Sequence, residues 1–185
     1  MTTKSKLEPI DDLEEFYDDS PDRGLAISLP AIVENRLTSI LREVMRPDEK
    51  LANELFQPSG PLGTFSSKIR LAYMLELVDK KFYEDVSTIN KIRNLFAHKV
   101  EMKRLEQHPV SSWIKGMHIY STLVKVRDNP SHPDKEFEAA LGHMLQNQLS
   151  TMRDSFRECI RMVITQLNIQ ERAIKAHNAK IAKTS

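Results

Sequence analysis

Apolar residues recur every three or four positions along most of this chain, which is the spacing of one face of an α-helix. The clearest stripe covers about eight helical turns and consists of Phe137, Leu141, Leu145, Leu149, Met152, Phe156, Ile160, Val163 and Leu167. The chain has only five glycines, and few β-branched residues alternate with polar ones, which argues against sheets. The sequence therefore predicts an all-α fold, a single helical bundle of six or seven helices with a long C-terminal helix.

Cap and breaker residues divide this pattern into elements. Ser20, Pro21 and Asp22 are typical of a helix start, and Asp79 is the expected cap of a later helix. Prolines and glycines mark a loop over residues 57–67 and a second break over 127–134. The predicted helices lie at about 7–17, 22–44, 48–56, 66–78, 80–99, 110–124 and 137–167.

The chain divides into a long central region and two charged ends. Residues 1–19 are predicted to form an acidic helical segment that packs on the bundle, residues 20–170 the helical domain, and residues 171–185 a frayed basic tail. Eight acids and no base lie between Glu8 and Asp22. This acidic stretch could pair with the basic tail of its own or a neighbouring chain, or form a solvated helix face.

Composition excludes several classes of function. Cys159 is the only cysteine, so no intrachain disulfide can form and a reducing cytoplasm is the expected location. No stretch approaches the eighteen apolar residues of a membrane-spanning helix. The six histidines lack the spacing of a zinc site, so neither a metal nor another cofactor is expected.

Direct binding to DNA is not expected. The formal net charge is only +1, whereas a phosphate-binding chain usually carries a strongly basic face. A helix-turn-helix joins two short helices by a turn of three or four residues, but the predicted helices 48–56 and 66–78 are about nine residues apart. Arg153, Arg157 and Arg161 form a basic row, but two acidic residues interrupt it.

The segment KIRNLFAHK places a charge on an apolar helix face. At about 100° per residue, Arg93 falls on the apolar side, whereas Asn94 and His98 lie together on another side. A guanidinium in an apolar environment needs an acid, a set of carbonyl groups or water. Asp22 and Glu34 are the candidate acids.

Two interpretations of this segment stay open. In the first, Arg93 anchors a buried ion pair while Asn94 and His98 brace the end of the helix, where the dipole favours histidine. In the second, the segment is catalytic toward RNA. His98 would move the proton of a 2′-hydroxyl, Arg93 would hold the phosphate charge that grows in the transition state, and Asn94 would position the histidine.

The stretch GPLGTFSSK has the glycines of a phosphate-binding loop but lacks its GK[ST] ending, and no strand precedes it. Gly60, Pro61 and Gly63 are therefore interpreted as a tight turn into the next helix, with Thr64 and Lys68 at its start. The exposed backbone amides of such a helix start could still hold an anion.

The same residues resemble two known families. Arg93-Asn94 followed by His98 resembles the short motif of HEPN helical domains, several of which are metal-independent ribonucleases with sites formed across a dimer. A longer resemblance covers SPDRGLAI at 20–27, GPLGTFSSKIRLAYMLELV at 60–78 and INKIRNLFAH at 89–98. These segments, in this order and separation, resemble the mannitol operon repressor family of bacteria.

The longer resemblance implies an all-helical transcriptional repressor of a mannitol-utilisation operon that lacks a recognised DNA-binding motif and acts through a protein partner. Under this interpretation the protein is not an enzyme. The HEPN resemblance implies the alternative, a ribonuclease that uses Arg93 and His98 on RNA. The long apolar stripe predicts a homodimer if one of its sides stays open.

Overall fold

The computed structural model of the protein describes residues 21–131 and 135–181. Over these ranges the chain forms eight helices and no strand, so the predicted all-α fold is confirmed. The helices are α1 (Asp22–Val44), α2 (Glu49–Phe56), α3 (Phe65–Met74), α4 (Lys80–His98), α5 (Val110–Lys115), α6 (His118–Asp128), α7 (Lys135–Gln148) and α8 (Met152–Ile181). The predicted acidic helix in residues 1–19 and the predicted Ser20 cap lie outside the described residues.

The two longest helices, α1 and α8, run side by side in the same direction. Near their starts, Arg153 Nη1 lies 2.7 Å from Asp22 Oδ1. Near their ends, Asn178 Nδ2 donates to the Glu43 carbonyl oxygen at 3.0 Å. Helix α4 packs against α1 on another side, and α3 packs against both α1 and α4. The core between these helices contains side chains that are at most 1% exposed, among them Leu37, Leu41, Ile92, Phe96, Phe156 and Ile160.

Side-chain caps fix the starts of three helices, as the local sequence requires. Asp79 accepts from the Phe82 amide at 2.8 Å, which confirms the predicted cap of α4. Asp48 accepts from the Leu51 amide at the start of α2. Thr64 does the same for α3 through the amide of Ser67.

The predicted helix over residues 110–124 is wrong, because the structure has two helices there. Helix α5 ends at Lys115 and α6 begins at His118. The backbone amides of His118 and Ile119 donate to Asp85 on α4, each at 2.8 Å. The break is therefore fixed by a carboxylate far away in the sequence, which local spacing could not reveal.

The single helix predicted over residues 137–167 is also wrong, because α7 ends at Gln148 and α8 begins at Met152. Thr151 Oγ1 accepts from the Asp154 amide at 3.0 Å and donates to the Asp154 carboxylate at 2.6 Å. The Thr151 hydroxyl thus caps α8, and the Asp154 carboxylate holds that hydroxyl in place. The apolar stripe continues across the break, so its spacing concealed the break.

Replacing Thr151 by alanine is expected to lower the free energy of unfolding by about 1 kcal/mol, because α8 loses its cap. Urea denaturation followed by circular dichroism measures the change. Thr122→Ala is the matched control, because the Thr122 hydroxyl bonds only to the His118 carbonyl within its own helix. Equal losses in the two variants would contradict the capping role.

The basic tail predicted to fray from residue 171 is instead helical through Ile181. Glu171 is only 3% exposed, and it accepts from Lys175 Nζ at 2.6 Å and from Ser39 Oγ at 2.9 Å. Burial alone would raise the pKa of Glu171, but these hydrogen bonds lower it below its usual value. Ile174 also packs against the core. These contacts extend the ordered helix beyond the predicted boundary.

Candidate functional site: a charged junction of α1, α3 and α4

The three segments that carry the family resemblance lie next to one another in the fold. The first opens α1, the second leads into α3, and the third forms the C-terminal half of α4. Arg23 Nη1 donates to the Lys99 carbonyl oxygen at 3.1 Å, which joins the first segment to the residue directly after the third. All three helices also meet at one carboxylate, that of Glu34.

Glu34 on α1 pairs with two cations. Its Oε1 lies 2.8 Å from Lys68 Nζ on α3, and its Oε2 lies 3.6 Å from Arg93 Nη1 on α4. The side chains of Lys68, Glu34 and Arg93 are 9%, 15% and 32% exposed, respectively. The Lys68 pair is therefore both the shorter and the more buried of the two. Glu34 is the acid on which this charged junction depends.

Of the two acids predicted as partners of Arg93, the structure selects Glu34. Asp22 is occupied elsewhere, since its Oδ1 pairs with Arg153 and its Oδ2 accepts from the Leu105 amide at 3.0 Å. Asp22 thus joins α1 to α8 and to the loop after α4. Lys68 is the member of the junction that sequence reasoning missed, because it was considered only as part of the loop motif.

The loop motif serves the local fold. A Cβ atom on Gly60 would lie 2.4 Å from the Glu54 and Leu55 carbonyl oxygens, and one on Gly63 would lie 2.4 Å from that of Gln57. Only glycine therefore fits where this loop, with Pro61 between the glycines, crosses the end of α2.

Two of the amides at the start of α3 are already used. Thr64 Oγ1 accepts from the Ser67 amide at 3.1 Å, and the Thr64 carbonyl oxygen accepts from the Lys68 amide at 3.3 Å. The Lys68 ammonium is committed to Glu34. The residues Thr64 and Lys68 therefore build the helix start and the junction.

Asn94 and His98 are exposed on the surface of α4. Neither side chain forms a hydrogen bond or ion pair with a residue that the structure describes. His98 lies five residues after Arg93, which corresponds to about 140° around the helix axis. Within one chain, Arg93 and His98 therefore point in different directions, and Arg93 is already paired with Glu34.

The structure adds a buried carboxylate that sequence reasoning missed. Asp85 is 2% exposed and accepts the amides of His118 and Ile119 at the start of α6. Burial raises the pKa of Asp85, and the two backbone hydrogen bonds oppose this rise. The signal in the sequence was an acid on an apolar helix face, between Phe82 and Val86.

An exposed, hydrogen-bonded pair of side chains lies beside this cap. His118 Nε2 is 2.9 Å from Glu84 Oε2. The hydrogen bond from His118 lowers the pKa of Glu84. Because both side chains are close to half exposed, this pair adds little to stability beside the Asp85 cap.

The basic row on α8 is neutralised by acids. Arg153 pairs with Asp22 at 2.7 Å, and Arg157 with Asp154 at 3.5 Å. Arg161 forms two hydrogen bonds to the buried Glu158 carboxylate, at 3.0 and 2.7 Å. The arginines of this row thus form ion pairs within α8 and between α8 and α1.

Residues 21–131 and 135–181 contain no group of three His, Cys, Asp or Glu side chains placed to hold a metal ion. Over the same residues, none of the helices combines the length and apolar character that crossing a bilayer requires.

These features define an all-α domain built on two parallel long helices, in which the charged motif residues join helices to one another. The chain belongs to the mannitol repressor family, whose sequence profile matches residues 11–170. This confirms the resemblance to that family. No curated protein sequence matches the chain significantly.

Solved structures share the fold at low sequence identity. A possible transcriptional regulator, YggD from Shigella flexneri 2a, superposes with a TM-score of 0.61 at 18% identity, over 85% of this chain and 97% of that one. A chain in the MtlR–HPr complex from Escherichia coli superposes with a TM-score of 0.59 at 16% identity, over 80% of this chain and 90% of that one. At these identities the likeness shows the fold.

Proposed function

We propose that this protein is a cytoplasmic repressor of a mannitol-utilisation operon that acts by binding a protein partner. The observation that carries the proposal is the pairing of cations within the chain. The arginines of the basic row on α8 and the two cations of the junction are paired with acids of the same chain. A free basic face for phosphate contacts is the usual mark of a DNA-binding domain.

The solved MtlR–HPr complex supplies the class of partner. We propose that this chain binds a protein of the HPr type from its own host. We also propose that the repressor domain begins at residue 20 and that it assembles as a homodimer.

We further propose that the protein is not an enzyme. Arg93 holds Glu34, and Asn94 and His98 lie on the surface. In this proposal the segment that resembles the HEPN motif stabilises α4 and the junction. RNA is then neither a substrate nor a required partner.

The test combines calorimetry with a DNA mobility-shift assay. We expect the purified chain to bind purified HPr of the same host, and to leave an operator fragment unshifted at physiological salt. The shift assay is run with the chain, with HPr and with both together. A sequence-specific shift by the chain alone would contradict the proposed mode of action, since specific complexes form at about 10⁻⁸ M or tighter.

The same purified protein is used to distinguish a ribonuclease from the proposed non-enzymatic repressor. RNA is incubated in EDTA with the wild type, His98→Ala and the control variant His143→Ala, which removes an exposed histidine from α7. Cleavage that leaves cyclic phosphate ends and is lost only in His98→Ala would support the enzyme.

A further inference from the structure

A small polar pocket lies between α3 and α4, on the far side of α3 from the junction residue Lys68. Its volume is about 200 Å³, and it is lined by Ser66, Ile69, Arg70, Tyr83, Ser87 and Asn90. A water molecule occupies about 30 Å³, so the pocket can hold a group of the size of a phosphate together with some of the atoms attached to it.

Hydrogen-bond donors dominate the lining. Four of the six lining residues carry a hydroxyl or an amide, one carries a guanidinium, and none carries a carboxylate. Asn90 is 7% exposed, and its Nδ2 donates to Ser66 Oγ at 2.8 Å. The buried amide therefore fixes the Ser66 hydroxyl at the wall of the pocket.

Three of the lining groups are available to a ligand. Over the described ranges, the Arg70 guanidinium forms no ion pair or hydrogen bond, and the hydroxyls of Tyr83 and Ser87 form no hydrogen bond. Arg70 differs in this from Arg93 of the junction and from the basic row on α8 (Arg153, Arg157 and Arg161), which are paired with acids. A guanidinium without an acid beside several hydroxyls suits an oxyanion that needs many donors.

The position of the pocket adds to this preference. Ser66 lies in the first turn of α3, where the positive end of the helix dipole favours negative charge. Tyr83, Ser87 and Asn90 follow one another at four- and three-residue intervals, so they share one face of α4. Donors from two helices thus converge on one small volume.

We propose that this pocket binds the phosphate group of a small phosphate monoester. Arg70 holds two phosphate oxygens, and the hydroxyls of Ser87 and Tyr83 donate to the others. The Ser66 hydroxyl accepts from Asn90, so its proton can be donated to a hydroxyl group on the carbon next to the ester. The proposal is independent of the proposed repressor function, since it depends only on the lining of the pocket.

Calorimetric titration of the full chain at constant ionic strength tests the proposal, with three probes: inorganic phosphate, mannitol 1-phosphate and mannitol. We expect saturable binding of at least one phosphate compound. Arg70→Gln is expected to weaken this binding about tenfold or more, because it removes charge-assisted hydrogen bonds. Arg104→Gln is the control, because Arg104 is exposed and lies outside the pocket, and it should change the affinity by less than about twofold.

The outcomes separate the sources of the phosphate group. Equal affinities for inorganic phosphate and the ester would show that the pocket contacts the phosphate group alone. A higher affinity for the ester would show that the pocket also contacts its carbon chain. Both support the proposal. Three results would overturn it: no saturable binding at about 10 mM of either compound, equal affinities of wild type and Arg70→Gln, or equal affinities for mannitol and its phosphate.

Discussion

Replacing Glu34 by alanine is expected to lower the free energy of unfolding by about 3–5 kcal/mol, because a largely buried lysine loses its partner. Lys68 Nζ lies 2.8 Å from the Glu34 carboxylate, with 9% of the Lys68 side chain exposed. The Arg93 guanidinium loses its acid in the same variant. Urea denaturation followed by circular dichroism measures the change.

Alanine substitutions at different residues of the junction should lower the free energy of unfolding by different amounts. Arg93→Ala leaves the shorter Lys68–Glu34 pair intact, and the Arg93 side chain is 32% exposed, so its loss is expected to cost at most about 1 kcal/mol. Equal losses in Glu34→Ala and Arg93→Ala would contradict the central place of the Lys68 pair.

Replacing Asp85 by alanine is expected to lower the free energy of unfolding by about 3 kcal/mol. The variant leaves two partly buried backbone amides at the start of α6 without their acceptor, and an unsatisfied donor costs up to about 1–3 kcal/mol when it is buried. The amides are those of His118 and Ile119. The same denaturation experiment measures the loss.

Two variants show whether the Asp85 effect arises from the cap. Asp85→Asn keeps one acceptor oxygen, and burial already disfavours the charged form of Asp85, as its raised pKa shows. This variant should therefore be clearly more stable than Asp85→Ala. Replacing His118 by alanine removes only the exposed pair with Glu84 and keeps the backbone amide. A loss in His118→Ala as large as in Asp85→Ala would show that the ion pair, rather than the cap, stabilises α6.

The sequence predicted those helices whose boundaries are encoded locally. Asp79 both precedes and caps α4, and the glycines and prolines before α3 mark a real loop. The start of α6 could not be predicted in this way, because its amides are held by Asp85 from another helix. The start of α8 did have a local signal, Thr151 followed by Asp154, which the continuous apolar stripe concealed.

The charged junction was predictable only in part. Helical spacing showed that Arg93 needs a partner, and Asp22 and Glu34 were the candidate acids. The choice between them depends on how α1, α4 and α8 pack, since Arg153 on α8 occupies Asp22. The competition of Lys68 for Glu34 depends on the position of α3, which no local pattern specifies. The polar pocket between α3 and α4 depends on the same packing.

The parallel pairing of α1 and α8 has a consequence for how the chain acquires its structure. Ser39 and Glu171, which bond across this pair, are 132 residues apart in sequence. Contacts between such distant residues form late and slow the search for the native state, because a long loop must close first. During synthesis, α1 emerges from the ribosome well before its main neighbour. The apolar face of α1 must therefore be kept from aggregating until α8 has been translated.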